Sequence, residues 1–596
     1  MIKLSDFVFQ YLSSTIGVKH VFLLSGGGAM HLVDSLGKTK GLEYIACLHE
    51  QAAVISACAY AQYTNNLGVA LVTTGPGGTN AITGVAAAWT DSIPLLVISG
   101  QVKTADMSNS MCRTLGYQEI DIVPVVKSIT KYAVTIKDPN DILYCLEEAV
   151  YNAKSGRPGP VWIDIPLDIQ SAMIDESKLD HFVKEDEEPK PANVPPEVGN
   201  VIWLINNSKH PVILAGYGIK LANAQDDFKK LVESLNIPVL TTWKAADLLP
   251  EDHRLYFGRP GAVGQRYANF MQQNADLIIC IGTRLDLGQI GYSYDNFAKN
   301  AKKILVDVDR SELNKLKFDI DVTFNDDAGK FIKELLRWQG TKTAMDDSWL
   351  SQGKLWKEKY PIMLPEYYKR TKYVSTYVLV DILSNAMKDE DILTPGSSGA
   401  CSDITMQTFR VKGGQRIINM PGLGAMGFGI PTAIGACIAS DKKRTICING
   451  DGGFQLNIQD LETIRRLKLP IKFFVLNNNG YGSIRNTQNN YFKGHLVACD
   501  STSGVTLPSL EKVAEAYGMK FVKIKTQKNI TGYVKVALSA PGPVLCKVMV
   551  DPKEQIMPRV TSKAQPDGKM ITAPLEDLWP FLDRKEFEEN MIREGK

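Results

Sequence analysis

The fold is decided by residues 445–482, which read TICINGDGGFQLNIQDLETIRRLKLPIKFFVLNNNGYG. The β-branched run 445–448 predicts a buried strand, and residues 471–476 predict a second one after an intervening helix. Parallel strands of a βαβ unit end at the same edge of the sheet, so Asp451 and Asn478 are expected to lie close together. Oxygen ligands of this kind suit Mg²⁺, which proteins bind through one or two carboxylates and the phosphates of a ligand.

Glycines surround Asp451 in the turn after the first strand. Gly450, Gly452 and Gly453 would let the backbone approach a diphosphate closely. Asn457 is expected to cap the helix that follows, with an acidic residue in its first turn. A nucleotide-type glycine loop with an incidental aspartate is the alternative that these residues leave open.

Composition excludes several classes of function. The net charge of +2 and the scattered Lys and Arg residues give no electrostatic case for nucleic acid or an acidic membrane. The ten cysteines form no CxxC pair, which indicates reduced thiols and makes a zinc site improbable. The N-terminus lacks the apolar core of a signal peptide, and no apolar run is long enough to cross a membrane. A cytoplasmic location is the resulting expectation.

Units of strand, glycine turn and helix recur along the chain, as in residues 21–28, 67–78 and 211–218, and the small-residue stretch 80–90 is expected to form the helix after the second of these turns. This recurrence predicts an α/β protein with three doubly wound parallel-sheet domains. The charged, proline-rich stretch 184–197 is typical of a linker. The expected boundaries are 1–182 for the first domain, 183–197 for the linker, 198–340 for the central domain, 341–370 for a connector, 371–555 for the third domain and 556–596 for a tail.

The segments GDGGF (450–454) and LNNN (476–479) resemble the GDG…NN signature of thiamine diphosphate (ThDP) enzymes. The resemblance implies that Asp451, the Asn478 side chain and the Gly480 carbonyl hold Mg²⁺ against the diphosphate of ThDP. The first domain would then bind the pyrimidine ring and the third domain the diphosphate. Further cofactor contacts implied by the resemblance come from Pro76, Asn80, Ser397, Ser398, Gly424, Gly450, Gly452, Gly453 and Tyr481.

Two other segments match this family. LHEQAA (48–53) is similar to the family's HEQ(G/A)A segment, which implies that Glu50 hydrogen-bonds the pyrimidine ring and so promotes loss of the thiazolium proton. NMPGLGAMGFGIP (419–431) resembles the segment whose methionine, here Met426, bends the cofactor into a V shape. Taken alone, Glu50 could be a surface residue at a helix start and Met426 a core filler.

Residues 72–102, 117–134 and 155–170 resemble acetolactate synthase and its relatives. The resemblance extends over about 1–555. It implies that Gln118 lies near the substrate, and that the backbone at Gly26 and Gly27 helps to stabilise developing negative charge. It also places Lys131 near the site and Arg157 against FAD, although a loop salt bridge is the alternative for Arg157.

The central domain resembles the domain that holds a non-redox FAD in acetolactate synthases. Gly216, Arg284, Asp307 and Asp327 fall on FAD-contacting positions of that pattern. The match is incomplete, because GTRLDLGQIG (282–291) lacks the family's second Asp and second Arg. FAD is the leading expectation, with ADP or an empty domain as the alternatives.

Two departures bear on the substrate. Thr487 replaces a tryptophan that shapes the acceptor pocket next to Ile484, and Ser398-Gly399 replaces a Gln-His pair. With these changes, and in the segments SGGGAMHLVDSLG (25–37) and APLEDLWPF (573–581), the chain resembles carboligases of bacterial sugar pathways such as yersiniose formation. His31 is expected either to contact substrate or to be structural.

The resulting expectation is a ThDP- and Mg²⁺-dependent carboligase that decarboxylates pyruvate and transfers a two-carbon unit to a carbonyl acceptor, which could be a nucleotide-linked ketosugar. The alternatives are an authentic acetolactate synthase with a keto acid acceptor, a 2-oxo acid decarboxylase, an acyl transferase to phosphate and a non-catalytic scaffold. The resemblance implies a homodimer or homotetramer with ThDP at the subunit interface. The tail is expected to fold over the third domain.

Overall fold

The computed structural model describes residues 1–108, 112–184, 196–338, 343–396, 398–564 and 570–592. The first part of the chain contains β1 (Ile2–Lys3), α1 (Leu4–Ser14), β2 (His20–Leu23), α2 (Met30–Lys38), β3 (Glu43–Ala46), α3 (Glu50–Thr64), β4 (Gly68–Val72), α4 (Pro76–Asp91), β5 (Leu95–Gln101), α5 (Ile122–Val126), β6 (Tyr132–Thr135), α6 (Ile142–Lys154), β7 (Pro160–Pro166), α7 (Leu167–Ser171) and β8 (Met173–Ile174).

The central part contains α8 (Pro196–Asn207), β9 (Pro211–Ala215), α9 (Gly218–Leu221), α10 (Gln225–Leu235), β10 (Val239–Thr241), α11 (Arg266–Gln273), β11 (Leu277–Ile281), α12 (Leu287–Ile290), β12 (Lys302–Val306), α13 (Arg310–Asn314), β13 (Val322–Phe324) and α14 (Ala328–Arg337). Two helices follow, α15 (Asp347–Lys359) and α16 (Pro365–Tyr368).

The third part contains α17 (Thr376–Ala386), β14 (Ile392–Pro395), α18 (Ala400–Thr408), β15 (Arg416–Ile417), α19 (Gly429–Ala439), β16 (Thr445–Gly450), α20 (Leu461–Arg466), β17 (Ile471–Asn477), α21 (Gly482–Tyr491), α22 (Leu510–Ala516), β18 (Lys520–Ile524), α23 (Ile530–Ser539) and β19 (Val544–Met549). The tail adds β20 (Ser562–Ala564), β21 (Met570–Thr572) and α24 (Arg584–Glu589).

Three parallel sheets organise these elements, as the sequence predicted. The first has the strand order β3-β2-β4-β5-β7-β6, the central one β10-β9-β11-β12-β13 and the third β15-β14-β16-β17-β19-β18. The first and third sheets have the same arrangement of six strands. The central strands, such as β4, β5, β9, β11 and β17, are buried along their whole length and are therefore continuous apolar runs, whereas the edge strands β3, β6, β13 and β18 are partly exposed.

One element begins earlier than predicted. The small-residue helix expected at 80–90 starts at Pro76, whose fixed φ suits the first helical position. Gly75 precedes it with φ +59°. The earlier start makes Asn80 an interior residue of α4 rather than its first residue.

The segment predicted as a connector at 341–370 contributes to the core. Its helix α15 buries Trp349 and Trp356, and the Trp349 indole N–H donates to the Pro211 carbonyl at 3.0 Å. Tryptophan burial of this kind anchors the helix against the central sheet. This burial could not be predicted from the sequence because the surface that α15 covers, at Pro211, lies 138 residues away in the chain.

The tail lies mainly on the central domain, so the expectation that it covers the third domain is wrong for residues 570–592. Asn269 Nδ2 donates to the Leu575 carbonyl at 2.7 Å, and Asn274 Nδ2 donates to the Asn590 carbonyl at 3.0 Å. Among the described tail residues, the hydrogen bonds to the third domain come from the start of the tail, where Tyr377 donates to the Met557 carbonyl. Buried amides of α11, which have no sequence signature, select this surface.

Helices α3 and α19 join the first and third domains in one core. The Ser56 hydroxyl donates to the Pro431 carbonyl at 2.9 Å, and a Cβ on Gly435 would lie 2.0 Å from the Ser56 carbonyl oxygen. The two backbones therefore approach as closely as glycine permits. In the described part of the chain, no helix is long and apolar enough to cross a membrane.

Gly435→Ala is expected to destabilise the protein by about 2 kcal/mol or more, because α3 and α19 must separate to admit the methyl group. Thermal unfolding followed by circular dichroism measures the effect as a lower Tm. Gly37→Ala in α2 is the matched control, since a Cβ there meets nothing within 4 Å. An unchanged Tm for Gly435→Ala would contradict the tight contact.

Candidate active site

The candidate metal site lies where β16 and β17 end side by side. The Asp451 carboxylate, 1% exposed, accepts hydrogen bonds from Asn477 Nδ2 at 2.6 Å and from the N–H groups of Asn479 at 2.8 Å and Gly452 at 2.9 Å. Burial raises the pKa of Asp451 above its usual value, although these donors oppose the shift. The strand pair thus delivers a fixed carboxylate to the sheet edge.

Three oxygen atoms converge at this point. The side-chain oxygen of Asn478 lies 2.7 Å from the Gly480 carbonyl oxygen and 3.2 Å from Asp451 Oδ1, with no hydrogen between them. A bound cation would resolve the repulsion, since octahedral Mg²⁺ with ligands at 2.0–2.1 Å keeps neighbouring oxygens about 3 Å apart. Without a cation, the reversed amide would satisfy the same atoms. The donor set therefore fits Mg²⁺ completed by phosphate oxygens.

No group of three His, Cys, Asp or Glu side chains that could hold a metal occurs in the described ranges. A site built from one carboxylate, one amide and one carbonyl is consistent with that finding. It leaves coordination positions for a phosphorylated ligand.

Close backbone packing shapes the turn around the site. A Cβ on Gly452 would lie 2.5 Å from the Tyr481 ring, and Gly480, at φ +136°, would place one 2.2 Å from the Cys499 carbonyl. The Arg485 guanidinium, buried in α21, donates to the Asn478 carbonyl at 3.0 Å. Arg485 could not be predicted from the sequence, because a lone arginine in a helix carries no local signal of such a contact.

Asn457 does not cap a helix with its side chain, contrary to the prediction. It adopts φ +64°, and its Nδ2 donates to Gln51 Oε1 at 2.8 Å and to the Gly427 carbonyl at 3.1 Å. The left-handed conformation turns the amide away from the following N–H groups. Asn457 instead ties the glycine loop 424–427 to the helix that begins with Glu50.

The glycine loop projects Met426. Gly424 and Gly427 have φ values of +62° and +93°, which bulky residues rarely adopt. The Met426 side chain is 44% exposed, so it is not a core filler within this chain. An exposed apolar side chain on a fixed loop is suited to contact a flat ring.

Glu50 is the first residue of α3 and is 6% exposed. Its Oε2 accepts a hydrogen bond from Asn80 Nδ2 at 3.0 Å. A Cβ on Gly77 would approach Oε1 at 3.7 Å. The buried position excludes the simple surface role that Glu50 could have had, and it makes Asn80 a partner of the carboxylate.

The loop that contains Gln118 and the glycine turn after β2 (residues 25–28) both pack against the turn that follows β4. Gln118 has φ +62°, and its carbonyl oxygen lies 2.1 Å from the position of a Cβ on Gly75. Gly28 packs against the Thr74 hydroxyl, which is buried without a partner in the described structure. Gly27 faces open space. The arrangement groups Gly27 and Gln118 around the same turn.

A cavity of about 670 Å³ occupies the central domain and its borders with the other two. Its size is within the usual range of small-molecule sites. Arg157, Arg284, Asp307 and Asp327 line it, but Gly216 does not. A Cβ on Gly216 would lie 2.1 Å from the Gly282 carbonyl oxygen, so this glycine serves close packing.

The charged side chains in this cavity have protein partners. Arg157 donates to Asp309 at 3.1 Å and also pairs with Glu312, so its position satisfies both the cofactor and the salt-bridge interpretation. Burial raises the pKa of Asp307 to about 6. Asp327 caps α14 by accepting from the Gly329 N–H at 2.9 Å.

Four other residues singled out from the sequence are Lys131, His31, Thr487 and Ser398. Lys131 donates to the Ser155 carbonyl at 2.6 Å, and burial lowers its pKa to about 8, so it supports the Arg157 loop. His31 is partly buried on α2, and Thr487 is exposed and donates from its hydroxyl to the Ser483 carbonyl of the same helix at 3.1 Å. The Ser398 carbonyl accepts from Cys401 Sγ at 3.1 Å, whereas Ser397 lies outside the described residues.

Family models match all three domains. They are the thiamine pyrophosphate enzyme N-terminal TPP binding domain over residues 2–125, the central domain over 198–335 and the C-terminal TPP binding domain over 397–548. Thiamine pyrophosphate is the same compound as ThDP.

Curated relatives match nearly the full length. The acetolactate synthase large subunit of Pyropia yezoensis is 32% identical over 573 residues, covering 93% of each chain. The large subunit of Lactococcus lactis subsp. lactis is 32% identical over 568 residues, covering 94% of this chain and 95% of the relative. The isozyme 1 large subunit of Escherichia coli K12 is 29% identical over 556 residues, covering 93% and 95%. The chain therefore belongs to the thiamine diphosphate-dependent enzymes, as an acetolactate synthase-like member.

Proposed function

We propose that this enzyme is a carboligase that decarboxylates a 2-oxo acid, pyruvate, and joins the remaining two-carbon unit to an acceptor carbonyl. The convergence of Asp451, Asn478 and Gly480 oxygens carries the proposal, because it fits a Mg²⁺–diphosphate anchor. When bound, ThDP supplies the electron sink that decarboxylation of a 2-oxo acid requires.

The residues of this chain supply proton transfer, orientation of the cofactor and stabilisation of negative charge. Glu50, held by Asn80, accepts or returns a proton at its carboxylate oxygen. Met426 fixes the bend of the bound cofactor. Gln118 and the Gly27 N–H stabilise negative charge that develops on the substrate oxygen. Exclusion of water protects the two-carbon unit from protonation, which would divert the reaction to an aldehyde.

A keto acid is the proposed acceptor, and the names of the acetolactate synthase relatives support it. The comparisons give a nucleotide-linked ketosugar no support. The nucleotide-linked ketosugar remains the second candidate because Thr487 and the 47% exposed Ile484 leave their side of the acceptor pocket open. Mass spectrometry of products from ¹³C-pyruvate with pyruvate, 2-oxobutyrate and nucleotide-linked ketosugars separates the two. Acetaldehyde as the sole product would contradict carboligation.

Thr487→Trp is expected to narrow the acceptor pocket. Relative kcat/KM for the smallest acceptor over the bulkiest should rise about tenfold, as pocket changes of this size discriminate by 1–3 kcal/mol. Competition between the two acceptors in one reaction gives this ratio directly. Thr502→Trp, on an exposed loop of the same domain, serves as the control. An unchanged ratio would place the acceptor elsewhere.

We further propose that the central cavity binds FAD in a non-redox role, with ADP as the alternative. Support comes from the cavity volume, from Asp307 at the end of β12 and from the glycine turns after β9 and β11. The visible absorption spectrum of purified protein tests flavin, and isothermal titration with ADP tests the alternative.

A homodimer or homotetramer with ThDP at the subunit interface is also proposed. Glu50 bonds within its own domain, while exposed apolar side chains surround the cofactor loops. They are Leu48, Trp89, Leu423, Met426 and Leu456. Sedimentation velocity measures the assembly, and an active monomer would contradict it.

A further inference from the structure

A charged cluster lines part of the central cavity. Asp91 at the end of α4, Lys244 after β10 and Tyr217 after β9 all line the cavity. The Lys244 ammonium lies 3.6 Å from Asp91 Oδ1, and the two side chains are 11% and 2% exposed. It also lies 4.4 Å from the centre of the Tyr217 ring, within reach of a cation–π contact. The cluster thus joins the first and central domains.

The same pair holds the segment that leads into the Met426 loop. Both carboxylate oxygens of Asp91 accept from the Gly422 N–H at 3.3 Å. Lys244 Nζ donates to the Asn419 carbonyl at 3.3 Å. Asp91 therefore binds an N–H group of the third domain, and Lys244 binds a carbonyl group of the same domain. Met426 follows four residues after Gly422, so the position of its loop depends on these hydrogen bonds.

The Tyr217 hydroxyl is buried without a hydrogen-bond partner in the described structure, and Tyr217 lines the cavity beside Lys244. A ligand with a polar group would satisfy it. Arg284 extends the connection, because it donates to the Thr90 carbonyl next to Asp91. A molecule in the cavity would therefore contact the residues that hold 419–422.

Burial raises the pKa of Asp91 and lowers that of Lys244. The charged form of the pair is thus sensitive to what fills the adjoining space. A ligand that excludes water and orders Tyr217 would alter how firmly the pair holds Gly422.

We propose that Asp91 and Lys244 are positioning residues that couple occupancy of the central cavity to ThDP binding at the Met426 loop. This inference rests on the proposed binding of a nucleotide in the cavity. Linkage requires the coupling to be reciprocal, so ThDP must raise nucleotide affinity by the same factor.

Isothermal titration of ThDP with Mg²⁺ into the full-length protein, stripped of nucleotide or saturated with FAD, tests the proposal. FAD is expected to lower the Kd of ThDP at least about fivefold in the wild type. In Asp91→Asn/Lys244→Met, which removes both charges together, the ratio should fall to about one. The KM for ThDP should rise while kcat at saturating ThDP changes little. Lys244→Arg, which retains the charge, should keep the ratio above one.

Asp247→Asn is the matched control. Asp247 is also buried between domains, where it pairs with Lys220 and Arg416, but it does not line the cavity. Coupling should persist in this variant. An equal ratio in the wild type and the double variant overturns the inference alone. Failure of the wild type to bind FAD or ADP overturns the cavity proposal and the inference with it.

Discussion

Glu50→Gln is expected to lower the kcat for pyruvate by about 10²–10⁴-fold, the usual contribution of a positioned acid–base group. The glutamine oxygen can still accept the Asn80 hydrogen bond, so the fold and the first turn of α3 should be retained. What is lost is the carboxylate that takes and returns the proton. Release of ¹⁴CO₂ from labelled pyruvate measures the step without requiring knowledge of the acceptor.

Glu43→Gln provides the control for this substitution. Glu43 lies in the same domain on β3, and its side chain is 79% exposed. Its activity should equal that of the wild type. Isothermal titration should show that Glu50→Gln still binds ThDP and Mg²⁺, because the diphosphate anchor is untouched. Unchanged turnover in Glu50→Gln would refute its catalytic assignment.

Asp451→Asn is expected to weaken Mg²⁺-dependent ThDP binding by at least about 100-fold. Loss of a residue that only supports a metal ligand already lowers metal affinity by up to about 100-fold, and Asp451 would be a ligand itself. The substitution removes the negative charge among the three converging oxygens. The asparagine keeps one acceptor oxygen, so it can retain the bond from the Gly452 N–H or the bonds from Asn479 and Asn477, but not both sets. Asn478→Ala removes a second oxygen and should act in the same direction.

Titration calorimetry at several Mg²⁺ concentrations separates metal loss from cofactor loss. Higher Mg²⁺ should partly restore ThDP binding to Asn478→Ala, which keeps the carboxylate. Asp389→Asn, an exposed residue of the same domain, should bind like the wild type. If Asp451→Asn bound ThDP with normal affinity and without Mg²⁺, the proposed role of Asp451 in the Mg²⁺–diphosphate anchor would be wrong.

The fold class and the family were predictable because their signals are local. Apolar runs of strand length followed by glycine turns predicted three parallel sheets, and the comparisons confirm the family and the three-domain organisation. Asp451 and Asn478 could be brought together because parallel strands end at one edge. The roles assigned to Glu50, Gln118 and Met426 stay predictions that the experiments above test.

The failures share a physical cause. Asn457 carries the residue type of a helix cap, but its partners are Gln51, 406 positions away, and Gly427. The tail and α15 likewise depend on side chains from distant segments. Sequence periodicity describes which face of an element is apolar, and it does not say which of several apolar surfaces that face will cover.

The sequence by itself determined the three parallel sheets and the family's cofactor motif, since each depends on local patterns within βαβ units. The tertiary structure alone decided that Asn80 holds Glu50, that Arg485 supports the Asn478 carbonyl and that Asp91 and Lys244 join the cavity to residues 419–422. Except for the local Arg485–Asn478 contact, these bonds cross between elements or domains. They form only when packing brings together groups that must be hydrogen-bonded once water is excluded.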